Sequence, residues 1–409
     1  MRRNSMRTLL TTLLLASTFA VSAQEIENIA GVRMTFDRAG ARSLAMGSTG
    51  IAANDAELAS TNPAAIAGAA RSFSIETRRR SFEGRYIVDN QLHSFGIDSS
   101  TSGIRGAALT FPMSGLTWSF FYDQPLDVHH STASIYGPYT TFNFFICEGR
   151  PAVTPCNAPQ MQFELPITFP VDVRLRLQRY GAATAWSRGP LAVGASIRRD
   201  HFRQEAVFLD GFGPLNGIAE TVDDTALTWS GGATWSFGSA ARIGATYASG
   251  GSFAGQRTFS YTPLPAQPLE FRTPPSFGAG ISIEPLPQLT IAADVLRVRY
   301  SEMMHEQRNV NPARSELGYP DVTELHAGAE YRLGALALRA GWWRDPAHAL
   351  KTFNGILPPS PLSNVAAILD SSENHLTAGI GVGTKTRFDA SIDRSERTTR
   401  LGFGVSTKF

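Results

Sequence analysis

The chain is 409 residues long, with 37 basic against 35 acidic side chains, a formal charge of +2, and 43% hydrophobic and 18% charged residues. A balance so near neutral excludes a dedicated nucleic-acid binder. No apolar run after position 23 reaches roughly 18 residues, which excludes transmembrane helices there; 37 Gly, 25 Phe, 10 Tyr and 6 Trp suit many short strands between turns and argue against disorder.

Residues 1–23 read as a signal peptide. Arg2, Arg3 and Arg7 precede an apolar stretch from Leu9 to Val21, and Val21-Ser22-Ala23 ends in a small residue suited to cleavage, so the mature chain is expected to begin near Gln24. No cysteine follows that site, which removes a lipoprotein anchor. Residues 24–70 lack a long strand pattern and read as loop and short helix. Asn54 and Glu57 have capping-box spacing, which predicts a helix from Asp55 to about Thr61, broken by Asn62-Pro63.

From Arg71 onward the hydrophobicity alternates with the period of a strand that has two different faces. Fourteen strands are predicted, over 71–80, 103–112, 114–123, 171–187, 190–207, 221–237, 240–261, 267–284, 287–301, 320–333, 335–346, 372–383, 385–394 and 397–409. Their connections sort by length. Those at Ser114, Gly189, Gly238, Pro285, Gly334 and Thr384 are tight, whereas 124–170, 302–319 and 347–371 are long. Tight turns on one side, long loops on the other and an even strand count predict an all-β fold, a 14-stranded antiparallel transmembrane β-barrel filled by 24–70 as a small N-terminal hatch. A soluble sandwich has no reason to sort its loops in this way. The last strand sets Leu401, Phe403, Val405, Thr407 and Phe409 against Arg400, Gly402, Gly404, Ser406 and Lys408, and similar faces oppose Leu338 to Arg339 and Leu376 to His375. A final aromatic completing such a strand resembles the terminal signal of outer-membrane barrels, so Phe409 is expected to engage the barrel assembly machinery.

Cys147 and Cys156 lie in a Pro-rich segment with no histidine between or beside them, so an intraloop disulfide is expected and a metal site is not. His129-His130 and His305-Glu306 fall in expected extracellular loops without a third ligand and read as solvated. Gly379 to Lys385 lacks the helix a phosphate loop needs, and no Gly-x-Ser-x-Gly elbow occurs, so neither a cofactor nor an enzymatic activity is expected. Only Lys351, Lys385 and Lys408 are lysines, leaving 34 arginines. Arg174, Arg176, Arg198, Arg339 and Arg387 are read as lumen-facing, with Asp172, Asp294, Glu324, Glu330 and Asp389 at compatible positions. Two roles stay open for them: ion pairs within the wall and to the hatch, or capture of a substrate carboxylate, for which Arg339, Arg174 and Arg387 are the candidates.

The stretch AGARSLAMGSTGIAANDAELASTNPAAIAG, from Ala39 to Gly68, resembles the N-terminal hatch of the FadL/OmpP1/TodX outer-membrane transport family, with Asn62-Pro63-Ala64 as the motif that carries the likeness. The paired strands from Phe271 onward, joined by a short Pro-containing turn, and NHLTAGIGVGTKTRFDASIDRS near the C-terminus are similar to that family as well. The resemblance implies a plugged barrel that takes up hydrophobic small molecules, such as long-chain fatty acids or aromatic compounds, and releases them sideways into outer-membrane lipid. That family has an inward kink in its third strand, which nothing in this sequence shows. The alternative is a structural or secretion-associated barrel of the same architecture acting through protein partners; nucleic acid is not an expected partner.

Overall fold

The computed structural model describes residues 34–88, 93–132, 140–144, 161–165, 171–209, 217–259, 265–304, 317–318, 320–348, 351–352 and 372–409. The signal-peptide reading, both cysteines and the pair His305-Glu306 lie outside the described residues. Fourteen strands form a ring: β1 (Ser72–Val88), β2 (His93–Met113), β3 (Leu116–Thr132), β4 (Val171–Arg188), β5 (Leu191–Leu209), β6 (Gly217–Phe237), β7 (Ala241–Ala248), β8 (Ser276–Leu286), β9 (Leu289–Val298), β10 (Val322–Leu333), β11 (Leu336–Asp345), β12 (Glu373–Val382), β13 (Thr386–Arg394) and β14 (Thr398–Lys408). Each pairs antiparallel with the next in chain order, and β14 returns to β1 from Ser72↔Lys408 to Phe82↔Thr398. The protein is therefore a closed 14-stranded antiparallel transmembrane β-barrel, the architecture in which every spanning strand finds hydrogen bonds without water.

The tight turns gather at one end. Gly115, Gly189, Gly238 and Gly334 there take left-handed φ values of 78°, 59°, 62° and 63°, and Ser114 joins Gly115 at 56°, the backbone a two-residue hairpin turn requires. Outward positions are apolar and open: Leu338, Leu376 and Phe403 are exposed, while Arg339 and Arg400 on the opposite face are buried. Trp186, Trp235, Phe237, Tyr331 and Phe388 are exposed within a few residues of the tight turns, where an aromatic belt meets the membrane interface.

Two predicted strands are each divided. The run predicted over 240–261 is β7 and then Ser252–Phe259, and the run over 267–284 is Gln267–Arg272 and then β8. Gly250-Gly251 and Pro274-Pro275 interrupt them. At the break Gly251 N donates to Thr273 Oγ1 (2.8 Å) and Thr273 N to Gly251 O (2.9 Å). The hairpin Ser252–Phe259/Gln267–Arg272 prolongs the wall by pairing with the loop-side half of β6, from Gly255↔Val222 to Phe259↔Ile218. The first three strands also outrun their predicted bounds, so 124–132, assigned to a loop, is the upper half of β3.

Residues 34–70 lie inside the ring. They hold a short helix α1 (Ala41–Ala45), which the sequence did not signal, and 3₁₀ turns at Ala56–Leu58 and Pro63–Ile66. The predicted helix from Asp55 shrinks to the first of these turns. Its cap is Asp55 rather than Asn54, because the extended backbone of Asp55 lets its carboxylate accept the Glu57 N–H. Asn62-Pro63, expected to break a helix, instead opens the second turn, with Asn62 capping and Pro63 at the first position. A ring of this many strands is wider than its own side chains can fill. The inner segment occupies that width at a waist of inward glycines: a Cβ on Gly194, Gly232, Gly244, Gly328, Gly341 or Gly379 would run into Pro63, Asn62, Ile51, Met46, Gly47 or Ala45 respectively.

Candidate functional site

The inner segment is tied to the wall by charge. Asp294 of β9 accepts from Arg38 Nη1 (2.9 Å), Gly50 N (2.8 Å) and Ile51 N (3.1 Å). Glu330 of β10 is shared by Arg42, Arg332 and Arg339, with Arg42 gripping both its oxygens at 2.8 and 3.0 Å. Asp37 sits between Arg78 and Arg400, at 3.3 and 3.2 Å. Burial alone would push the Asp37 carboxyl up, but Arg400 and Arg78, with Arg80 and Arg105 behind them, outweigh it and hold it near 2. Asn62 is fully buried and uses both ends of its amide, donating Nδ2 to Ile51 O (2.6 Å) and accepting Ala64 N at Oδ1 (3.0 Å).

The three arginines proposed for a substrate carboxylate fall in three different settings. Arg339 is buried between Glu330 (Nε to Oε2, 2.6 Å) and Asp389 (Nη1 to Oδ1, 2.6 Å), a link within the wall. Arg387 joins Asp389 (2.7 Å) to Glu57 of the inner segment (2.9 Å). Arg174 lies on the outer face, exposed, and Arg176 beside it faces outward as well; the lumen-facing reading of both is corrected. The cause is visible along β4. At the turn end its outward set is apolar, with Tyr180 and Trp186 exposed, but at the loop end Val173, Leu175 and Leu177 of the inward set are fully buried. Above the hydrocarbon an outward face meets water, so polarity no longer marks the lumen side. Asp172 shares that outer position, next to His129, whereas His130, read as a solvated loop residue, is buried and faces Phe82.

Among the described residues, the ladder between two neighbouring strands of the ring, β2 and β3, stops short. The β2–β3 ladder runs from Met113↔Leu116 to Gly106↔Asp123 and stops there, although β2 continues back to His93 and β3 onward to Thr132. Both strands are bulged where it stops. β2 carries Arg105 as an extra residue between the rungs Glu76↔Gly106 and Thr77↔Ile104, and β3 carries one extra residue, in Gln124-Pro125, between Asp123↔Arg179 and Leu126↔Leu177. A bulge bends its strand and ends regular pairing. Six consecutive residues from Asp123 to Val128 are buried, so this part of β3 turns inward, and Pro125 O accepts the N–H of Asp37 (2.8 Å). The result is an inward kink beside a lateral seam, neither of which was legible in the sequence.

Two cavities flank the inner segment. The larger, about 530 Å³, opens toward the tight-turn end and is lined by charged groups, among them Arg42, Asp55, Glu57, Arg242, Glu284 and Arg387. The smaller, about 90 Å³, lies on the loop side and brings Phe36, Ile51, Leu296, Val298 and Tyr300 together with Asp123 of the kink. Asp37, Arg38, Arg179, Arg198 and Glu324 border this smaller cavity too, so charge does not separate the two; the smaller is the better candidate for a path to the seam because it alone of the pair reaches the kink. Above it the loop-side lumen is lined by Leu126, Val128, Leu175, Leu177, Phe202 and Phe271, with the last two rings stacked at 3.9 Å.

The site and the fold together define a transmembrane β-barrel with a segment inside its ring and an inward kink in its third strand beside a break in the ladder. Among solved structures the chain is similar to a Pseudomonas aeruginosa FadL homologue (12% identity, 92% of this chain and 99% of that one, TM-score 0.65). It is also similar to the P. putida toluene transporter TodX (15%, 91% and 99%, 0.59) and the Ralstonia pickettii toluene transporter TbuX (16%, 90% and 98%, 0.58). At these identities the likeness is one of fold. No protein-family model matches the chain, and no curated protein matches it.

Proposed function

We propose that this protein is a passive outer-membrane channel for hydrophobic small molecules, in which the inner segment acts as a hatch and the β2–β3 seam is the exit into lipid. The observation that carries the reading is the paired bulges that end the ladder at Gly106↔Asp123. A barrel gains no stability by leaving two strands unpaired at mid-wall, so the seam needs a use. The named functions of the similar structures, toluene transport and FadL homology, agree with one. A barrel acting only through protein partners has no use for such an opening, and no observation favours that alternative. Export by the N-terminal segment and assembly through β14 and Phe409 belong to the same proposal, in a Gram-negative-type outer membrane. The arginines at the lumen side act first as structural ties, and no catalytic step is assigned.

The test follows from the register. β3 advances three residues while β4 advances two across the bulge, so deleting Pro125 alone restores one-for-one pairing. Cells expressing the wild type should take up labelled toluene or dodecanoate faster than cells without it, and the Pro125 deletion should lower that uptake about tenfold with the barrel still assembled. Undiminished uptake in an assembled deletion variant overturns the lateral exit.

A further inference from the structure

The outer face of the wall changes character along one line. Of the strands that run toward the loops, β1, β5, β9, β11 and β13 carry an outward arginine: Arg79, Arg199, Arg297, Arg344 and Arg394. Four of these are exposed and Arg297 is half-buried. Two residues nearer the turns on the same face stand Ile197, Val295, Trp342 and Ile392, with Thr77 on β1. Each arginine thus sits where the apolar stretch of its strand ends.

The registers put the five at one height. Arg79 shares a rung with Leu401 and through it with Ile392, so Arg394 stands two residues loop-ward of that row, two strands away. Arg394 shares a rung with Leu376 and through it with Trp342, and Arg344 is again two residues loop-ward. Arg344 pairs with Leu325, whereas Arg297 pairs with Thr323, two residues loop-ward on β10. Four strands beyond β9 the row of Arg297 reaches Ala195, and Arg199 is four residues loop-ward of it. Four strands further the row of Arg199 reaches Ile75, and Arg79 is four residues loop-ward, so the line closes on itself. One residue along for each strand crossed, about 3.3 Å against about 4.8 Å, is a slope of roughly 35°, the tilt of strands in a closed barrel. The line therefore runs level around the molecule, at the loop-side edge of the apolar band.

On the rungs of Arg297, Arg344 and Arg394 the intervening strands place Thr323, Asn374 and Thr399, which are polar but uncharged. Arg297 donates to Thr323 Oγ1 (3.1 Å) and has Asp321 at 3.7 Å; the other four arginines have no hydrogen bond or ion pair among the described residues. Along Arg297, Arg344, Arg394 and Arg79 the neighbours are two strands apart, roughly 12 Å between backbones. A disaccharide with a phosphate at each end can bridge that span. The line meets no arginine on the two remaining strands of the same direction. On β3 it falls on Gln124, buried in the kink, and on β7 on Ser249 at the break.

We propose that the arc from Arg297 through Arg344 and Arg394 to Arg79 binds a glycolipid of the loop-side leaflet that carries two phosphates, each phosphate on one of two neighbouring arginines and the acyl chains on the apolar face below. A guanidinium fork matches phosphate oxygens, and its stem lies along apolar surface while the head stays at the water's edge. A free phosphate gains nothing from that surface, and a lipid with one phosphate engages one arginine at a time. The inference rests on the outer-membrane reading above and is independent of what the channel carries. The arc ends at β1, one strand short of the seam, so lipid at the exit is not held in this way.

Diphosphoryl and monophosphoryl lipid A differ in one phosphate, so the test compares their binding to the full purified chain in detergent, with inorganic phosphate as the free anion. Wild type should bind the diphosphoryl form about tenfold more tightly than the monophosphoryl form, and inorganic phosphate at the concentration of the lipid should displace neither. Arg344→Gln with Arg394→Gln should abolish that preference, because the arginines left are too far apart to bridge. Arg199→Gln should keep it, since its nearest neighbours on the line are already four strands away. Each variant is first checked for the gel shift between unheated and boiled protein that marks a closed barrel. Should the double variant fail to assemble, Arg344→Lys with Arg394→Lys carries the test: it keeps the charge, loses the fork and should weaken the diphosphoryl form about threefold. Equal binding of the two lipids by wild type, displacement by inorganic phosphate, or an unchanged preference in the double variant overturns the site. Recovery of the chain outside the outer-membrane fraction of cells, with the preference intact, overturns the location instead and leaves the phosphate site standing.

Discussion

Asn62 shows how much one side chain decides. Its fully buried amide closes two backbone gaps, and Gly232 gives it space. Asn62→Ala leaves Ile51 O and Ala64 N without these partners, which typically costs about 1–3 kcal/mol. The variant barrel should assemble, but its inner segment should be cut by protease at lower urea concentration than wild type; identical cleavage curves would reduce the motif to an ordinary turn. Glu57 sets a pH dependence of the same segment. Burial, with Asp55 and Asp389 adding to it, pushes its carboxyl up to about 7 against the pull of Arg387. The seated segment therefore holds a proton that the released chain loses nearer pH 4.5, so this group favours seating most below that window and progressively less as pH rises through 7. From about pH 5 to about pH 8 the urea needed for cleavage should fall in wild type, by an equivalent of order 2 kcal/mol, and less so in Glu57→Gln. Parallel curves would place the titrating group elsewhere. The sequence made Asn62-Pro63-Ala64 legible because an Asn-Pro pair restricts its own backbone. It could not show that His130 is buried, since that depends on Phe82 of β1 and on the inward turn of β3.

At the scale of elements, alternation located the strands because each wall face is uniform within the membrane. It failed where that uniformity ends. The upper half of β4 inverts its polarity, and the upper half of β3 is buried on both faces, so it read as part of a loop. The bulges were illegible for another reason: an extra residue is defined only against the partner's register, here Arg179 and Leu177 for β3 and Glu76 and Thr77 for β2. The glycine waist belongs to this scale, because no single glycine explains itself until the segment beside it is placed. Gly341 of β11 is held in ladders by Gly328 on one side and Thr377 on the other, so its backbone is poorly placed to retreat. A Cβ there meets Gly47 N and the Met46 carbonyl carbon, and the inner segment has to yield instead. Gly341→Val should keep the heat-dependent gel shift of a closed barrel and render 34–70 protease-sensitive. Protection equal to wild type would show that this close approach does not hold the segment.

For the whole molecule, closure and plugging rest on separate interactions. The ring is completed by eleven rungs between β1 and β14, and the wall has charge links of its own, such as Arg339 with Asp389 and Arg257 with Glu220. The inner segment adds Arg38 to Asp294, Arg42 to Glu330, and Asp37 to Arg78 and Arg400. Removing one member of a buried pair usually costs about 3–5 kcal/mol because the other charge is stranded in a dry site. Removing the entire segment is a different change, since water then floods a lumen wide enough for it and solvates Asp294, Glu330, Arg78 and Arg400. A chain lacking 34–70 should therefore still migrate as a closed barrel in unheated gels, whereas the full chain and the deletion should differ in planar bilayers: low ion conductance for the first and a steady, porin-like conductance for the second. A deletion that no longer closes would show that the inner segment is part of the barrel's folding core, and a closed deletion without conductance would show that something other than 34–70 blocks the pore.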